Sequence, residues 1–408
     1  MHDLKIKSKT LYFMELIYIT LPLVLFLFGW TKWYIAAICC VAGIFCYKRT
    51  FCGITKAQNS GIKIKSWVLI IGCILLIFIG FSCGWGRWTE QTGDYAKHNT
   101  VLADLTYRSW PVYYRNGSEH SMLTYYIGHY IVPSFVGKLF GSFRISEIAL
   151  FVWSVTGIIL VWMHMISSLR VIHPAKQLCS IVIMVLFGPA SYFAKQLALL
   201  ANLPIGIIIE NSDWFFFNPI WGIHVQYSSN YTSLSWVFPQ IIVCWITVLL
   251  LIDHKENIKY YVPLMLPAMF YSVLSFLGIL MLAIPYAVFI LVKKCSFAKW
   301  LKNIFSIENV LCTVTIGGIL IAYYWGNVFS EKPDSFSLYL CPIHLALSLF
   351  LVFYITCVLP FPLCLMKWYF KDFFFVVSSV ILERVHIKRA SKIIANIITE
   401  RKIESSLS

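Results

Sequence analysis

Residues 11–30 read LYFMELIYITLPLVLFLFGW, and after Thr31 and Lys32 the chain resumes as WYIAAICCVAGIFCY over 33–47. A hydrocarbon core about 30 Å thick is crossed by roughly 20 apolar residues in a helix. Glu15 is the one charged side chain in the first run, and the second run has none. The two runs predict consecutive membrane helices. Similar runs follow at 67–86, 146–168, 178–194, 233–252, 260–274, 276–292, 307–326 and 338–366. The stretch 122–141 is apolar but mixed with Tyr, His and Lys, so it is either a span or an interfacial helix. The expected fold is all-α, a polytopic transmembrane helix bundle of about ten spans.

Composition agrees. The 408 residues are 59% hydrophobic and 12% charged, against about 45–50% and about 25% in soluble domains. That excludes a soluble globular protein, a disordered chain and a nucleic-acid-binding domain, despite a net charge of +15. Most of the 33 basic residues fall between alternate runs, and the others are Lys32, Arg87, Lys97, Arg108, Arg115, Lys138, Arg144, Lys195 and Lys332. Because Lys and Arg collect in cytoplasmic loops, both termini are expected in the cytoplasm, with the loops 87–145 and 195–232 facing outward. The first run lacks a small-residue cleavage site, which predicts a retained anchor. The transmembrane domain is drawn at 1–371. The segment 372–408 is basic, amphipathic and free of Pro and Gly, as expected of a helix on an anionic cytoplasmic surface. The 13 cysteines lie mostly within spans, and none forms a CxxC.

The spans carry few ionisable side chains. Glu15, His164 and Glu308 fall near cytoplasmic ends, where water is expected to reach them. This argues against a proton- or sodium-driven carrier and directs attention to the outer loops. Between Asp94 and Tyr107, Asp94, His98, Val101, Leu102 and Leu105 share one helical face, with Lys97 and Asp104 beside it. Trp110-Pro111 should end that helix. Tyr113, Tyr114, Arg115, Asn116 and Gly117 are expected to form a polar turn, and Tyr125, Tyr126, His129 and Tyr130 open a second amphipathic segment. The plainer alternative is a helix-starting aspartate in a local ion pair, within an ordinary interfacial aromatic belt. In the second loop, Glu210, Asp213 and the aromatic run Trp214–Phe217 precede Trp236 and Gln240. Aromatic faces beside carboxylates and amides suit sugar rings and their hydroxyls, although an aromatic girdle has the same composition.

The motifs Asp94-Tyr-Ala-Lys97-His98, Trp110-Pro111-Val112-Tyr113, Leu123-Thr-Tyr125-Tyr126-Ile-Gly128 and Ser233-Leu-Ser-Trp236-Val-Phe-Pro239-Gln240 resemble a pattern in a group of uncharacterised bacterial integral membrane proteins. That group resembles the GT-C class of membrane glycosyltransferases. The resemblance implies a GT-C-like bundle with juxtamembrane helices in an outer loop, in the bacterial cytoplasmic membrane. It also implies cell-envelope glycan synthesis, using a polyprenyl-phosphate-linked sugar donor and a glycan or lipid acceptor. In that class an acidic residue of the first outer loop is the presumed base, a role that falls on Asp94. Lys97 and His98 would meet the donor phosphate with Arg115. The resemblance gives the other positions no counterpart; read from the residues alone, Asp104, Trp110, Tyr113, Tyr125, Tyr126, Glu210, Asp213, Trp236 and Gln240 are the candidates to line the substrate site. The acidic loop follows the third span here, whereas the GT-C arrangement places it after the first. No cofactor and no metal are expected, although Asp94 and Asp104 could share a divalent cation. The alternatives are a flippase or transporter, or a non-catalytic assembly partner, for lipid-linked saccharides.

Overall fold

The computed structural model describes residues 3–55, 61–91, 93–116, 119–187, 220–221, 225–226, 229–293, 295–325 and 328–329. The chain divides into two compact units, Met1–Val352 and Phe353–Ser408. The predicted span 338–366 and the basic segment 372–408 lie outside the described residues.

The first unit is a helical bundle. Its helices among the described residues are α1 (Ser8–Trp30), α2 (Trp33–Thr55), α3 (Ser66–Ser82), α4 (Tyr95–Tyr107), α5 (Gly128–Leu139), α6 (Phe143–Ser168) and α7 (Pro174–Leu186). They are followed by α8 (Asn230–Trp236), α9 (Phe238–Asp253), α10 (Tyr261–Tyr271), α11 (Val273–Lys293), α12 (Phe297–Ile304), α13 (Ile307–Cys312) and α14 (Gly318–Trp325). A π-helical turn at Thr313–Gly317 joins α13 to α14. Among the described residues, five helical segments are long and apolar enough to cross a membrane: Ser8–Trp30, Trp33–Thr55, Phe143–Ser168, Val273–Lys293 and Phe297–Tyr324. Ser66–Ser82, Pro174–Leu186 and Phe238–Asp253 are shorter apolar helices.

The stretch 122–141 contains no helix of spanning length among the described residues. Its helix, α5, has 12 residues and spans about 18 Å, short of the roughly 30 Å hydrocarbon core.

Helix α6 is the axis of the packing, touching α1, α3, α4, α5, α7 and α9. Its buried face includes Leu150, Ser154, Ile158, Val161, Trp162 and His164. The outward faces carry apolar side chains such as Phe28, Ile38, Ile74 and Met281, all exposed, as expected where the solvent is lipid.

Small sheets decorate both ends. Strand β1 (Asp3–Lys7) pairs antiparallel with β2 (Gly61–Lys65), setting Ile6 opposite Ile62 and Leu4 opposite Ile64. The alternation of Ile and Lys buries Ile62 and Ile64 and leaves the lysines outside, a period of two that defines a half-buried strand. At the other end β3 (Tyr113–Asn116) pairs with β4 (Glu119–Met122), and β4 with Val328–Phe329. The expected polar turn is therefore a hairpin arm. Tyr113 and Tyr114 favour extended backbone, and the register pairs Tyr113 with Met122 and Asn116 with Glu119.

Of the ionisable groups assigned to watery helix ends, Glu15 and His164 are sealed instead, and Glu308 is buried at the wall of a cavity. The side chains of Glu15, His164 and Glu308 have no exposed surface. His164 Nδ1 lies 2.8 Å from Glu15 Oε1, and its Nε2 lies 3.2 Å from Asp253 Oδ2. Tyr12 and Ser168 each donate to Asp253 at 2.7 Å. The knot ties α1, α6 and α9 together at the end opposite α4.

Candidate functional site

At the α4 end of the bundle the segment 94–130 meets the distant segment 233–240. Helix α4 presents Val101, Leu102 and Leu105 to the core, as its periodicity predicts. His98 is buried on the same face. Its Nε2 lies 3.0 Å from the carbonyl oxygen of Trp236, which can only accept, so Nε2 carries the proton. Nδ1 then accepts from the Tyr130 hydroxyl. One imidazole thus bonds α4, the end of α8 and α5. Burial lowers the His98 pKa, opposed by the Trp236 carbonyl and the Asp94 charge. A neutral ring with both nitrogens bonded is not a cation free to meet a phosphate. In this structure His98 holds the site together.

Asp94 stands immediately before α4 with its side chain 41% exposed. It makes no capping hydrogen bond to the helix. Its partner is Lys97, whose ammonium is 3.8 Å away and 74% exposed. A loose, exposed pair of this kind contributes at most about 1 kcal/mol. The carboxylate is therefore not locked in a buried ion pair. The Tyr125 hydroxyl shares its surroundings: burial raises its pKa, and Tyr126 and the Asp94 charge add to the effect.

Asp104 is differently placed. It accepts from Arg108 at 2.8 Å and from the Tyr114 hydroxyl. That hydroxyl is pushed up in pKa by burial first, then by this hydrogen bond. Ten residues of helix separate Asp94 from Asp104 by about 15 Å, so the two cannot share a metal ion. Among the described residues no cluster of three His, Cys, Asp or Glu side chains could hold one.

Trp110 follows the helix as predicted, through a cis bond to Pro111. Its indole nitrogen donates to the Leu105 carbonyl at 2.8 Å, and its ring lies 5.3 Å from that of Trp30. Helix α1 carries Gly29 at this contact, where an added Cβ would fall 2.7 Å from the Trp110 ring. Tyr113 and Arg115 lie on β3. Tyr125 and Tyr126 form a ring pair 5.2 Å apart, and the Tyr323 hydroxyl donates to the Tyr125 carbonyl at 3.1 Å. Gln240 accepts from Ser272 at 3.2 Å. Glu210 and Asp213 lie outside the described residues.

Sequence reasoning did not single out Glu147. Its carboxylate, 5% exposed, receives Arg87 and Arg144 at 3.0 Å each. The Arg144 guanidinium also lies 4.2 Å from the centre of the Trp88 ring. The spacing of Arg144 and Glu147, three apart at the start of a helix, is the sequence signal for half of this group. No family model, no curated protein and no solved structure matches this chain.

Proposed function

We propose that the α4 end of the bundle is a glycosyl-transfer site of the GT-C kind, facing the outer side of a bacterial cytoplasmic membrane and working in cell-envelope glycan synthesis. The donor is a sugar linked to polyprenyl phosphate. The observation that carries this proposal is the convergence of the marked segments. His98 of one bonds the Trp236 carbonyl of another across 138 positions of sequence, beside the exposed Asp94 carboxylate.

In this account Asp94 takes the proton from an acceptor hydroxyl. The hydroxyl oxygen forms a bond to the anomeric carbon as the bond from that carbon to the phosphate oxygen breaks. The electron pair leaves with the polyprenyl phosphate, whose charge Lys97 and Arg115 offset. The Tyr125–Tyr126 ring pair and Trp236 offer faces for the sugar. His98 positions Asp94 by pinning the first turn of α4.

The sealed Glu15–His164–Asp253 knot favours a second reading. Ionisable groups at membrane depth often mark transport pathways, which suits a flippase for the same lipid-linked saccharide. Purified protein in vesicles, given a labelled polyprenyl-phosphate sugar and a mixture of envelope acceptors, separates the two. Transfer yields labelled acceptor and free polyprenyl phosphate. A flippase moves the donor across the bilayer with its glycosyl bond intact.

A further inference from the structure

At the end of the bundle away from α4, a cavity of about 450 Å³ opens between α2, the turn after α9, and α12–α13. Its volume is within the range of small-ligand sites, roughly 300–1,000 Å³. Arg49, Glu256, Lys259, Tyr260, Asn303 and Glu308 are among the side chains lining it. Glu308 is the anchor. Its Oε1 lies 2.6 Å from Arg49 and 3.3 Å from Lys259, while Oε2 is buried without a hydrogen-bond partner. A buried carboxylate oxygen left unpaired costs free energy, so a donor brought by a ligand would be favoured there. The two cations are 46% and 36% exposed, with room to contact a second anion. The Tyr260 ring forms one wall by lying over Gly53 of α2, where a Cβ would fall 2.2 Å from its hydroxyl.

The charges balance. Arg49 and Lys259 stand against Glu256 and Glu308, so a ligand of single sign gains from one pair and is repelled by the other. A zwitterion gains from both. Phe305 and Ile307 flank the lining residues Asn303 and Glu308 in sequence and are 46% and 55% exposed. Helix α12 also exposes Phe297 and carries Lys299 and Lys302, the composition of a helix lying in a membrane interface.

We infer that this cavity binds the zwitterionic headgroup of a phospholipid. The phosphate meets Arg49 and Lys259, and a primary ammonium meets the acidic side, including Glu308 Oε2. This site is separate from the proposed transfer site and does not depend on it.

The test is native mass spectrometry of the full chain, loaded with equal amounts of phosphatidylethanolamine, phosphatidylcholine and phosphatidylglycerol and then progressively delipidated. The expected result is preferential retention of phosphatidylethanolamine by about tenfold over each of the others, the worth of one charge-assisted hydrogen bond. The choline headgroup has no N–H to donate, and the glycerol headgroup has no cation. Glu256→Gln, at an exposed position, should reduce the preference while leaving the fold intact. Arg49→Gln with Lys259→Gln should abolish retention, and Lys302→Gln, outside the cavity lining, should leave it unchanged. Equal retention of the three lipids, or an unaltered preference in Glu256→Gln, overturns the proposal. So does equal thermal protection by water-soluble phosphoethanolamine, which would make the occupant a free solute.

Discussion

Replacing His164 by leucine removes the centre of the knot that joins α1, α6 and α9. Glu15 Oε1 then loses its 2.8 Å partner, and Oε2 has none to begin with. The Glu15 side chain has no exposed surface, so water cannot replace the imidazole without opening the bundle. Breaking a buried pair by deleting one partner costs about 3–5 kcal/mol. Asp253 is better protected, because Tyr12 and Ser168 still donate to it at 2.7 Å. The cost of the substitution therefore resides in Glu15, and a second change should relieve it. Glu15→Leu combined with His164→Leu removes the stranded carboxylate and should recover most of the lost stability. The assay is reversible unfolding in mixed micelles, reading the single and double variants against the parent. A His164→Leu protein as stable as the parent refutes the reasoning, as does a double variant no more stable than the single one.

Other outcomes follow from the same packing. His129 is fully buried, and burial lowers its pKa to about 3. Below pH about 6.5 the unfolded chain binds a proton that the folded chain refuses, so stability falls by about 1.4 kcal/mol per pH unit from this group as pH drops toward 3. His129→Gln should flatten that slope in a pH series of thermal unfolding, and an unchanged slope contradicts the assignment. A Cβ at Gly72 would meet the Trp162 ring at 2.1 Å, so Gly72→Ala should destabilise by about 1–3 kcal/mol through overpacking, measured by the same unfolding titration. His98→Ala leaves the Trp236 carbonyl and the Tyr130 hydroxyl without this partner. It should increase hydrogen exchange in residues 95–107 and 230–236 together, whereas loosening of α4 alone would show that the pin is not shared.

What the sequence discloses here is local. The apolar runs located α1, α2, α6 and α11 because a lipid-facing helix must be apolar along its whole length. The spacing of Val101, Leu102 and Leu105 located α4 because its buried face repeats with the helical turn. The strand after Trp110 was also legible in part: Tyr113-Tyr114 carries an extended-backbone signal, obscured by reading the segment for polarity. Pairings across the chain were not legible. Glu15 and His164 are 149 positions apart, and nothing in either apolar run indicates that the two face each other. The same holds for His98 and Trp236. A motif search marks both segments, but only the fold shows that the imidazole bonds a backbone carbonyl and is not open to a ligand.

The central claim concerns the carboxylate at the start of α4, and the isosteric substitution Asp94→Asn tests it most directly. Asparagine keeps the shape and the helix start but cannot accept a proton from an attacking hydroxyl. The measurement is transfer of labelled sugar from a polyprenyl-phosphate donor by vesicle-reconstituted parent and variant, with equal insertion and thermal stability verified. The account predicts transfer by the parent and its loss in Asp94→Asn by about 10²-fold or more, with donor binding retained. Undiminished transfer by the variant would contradict it.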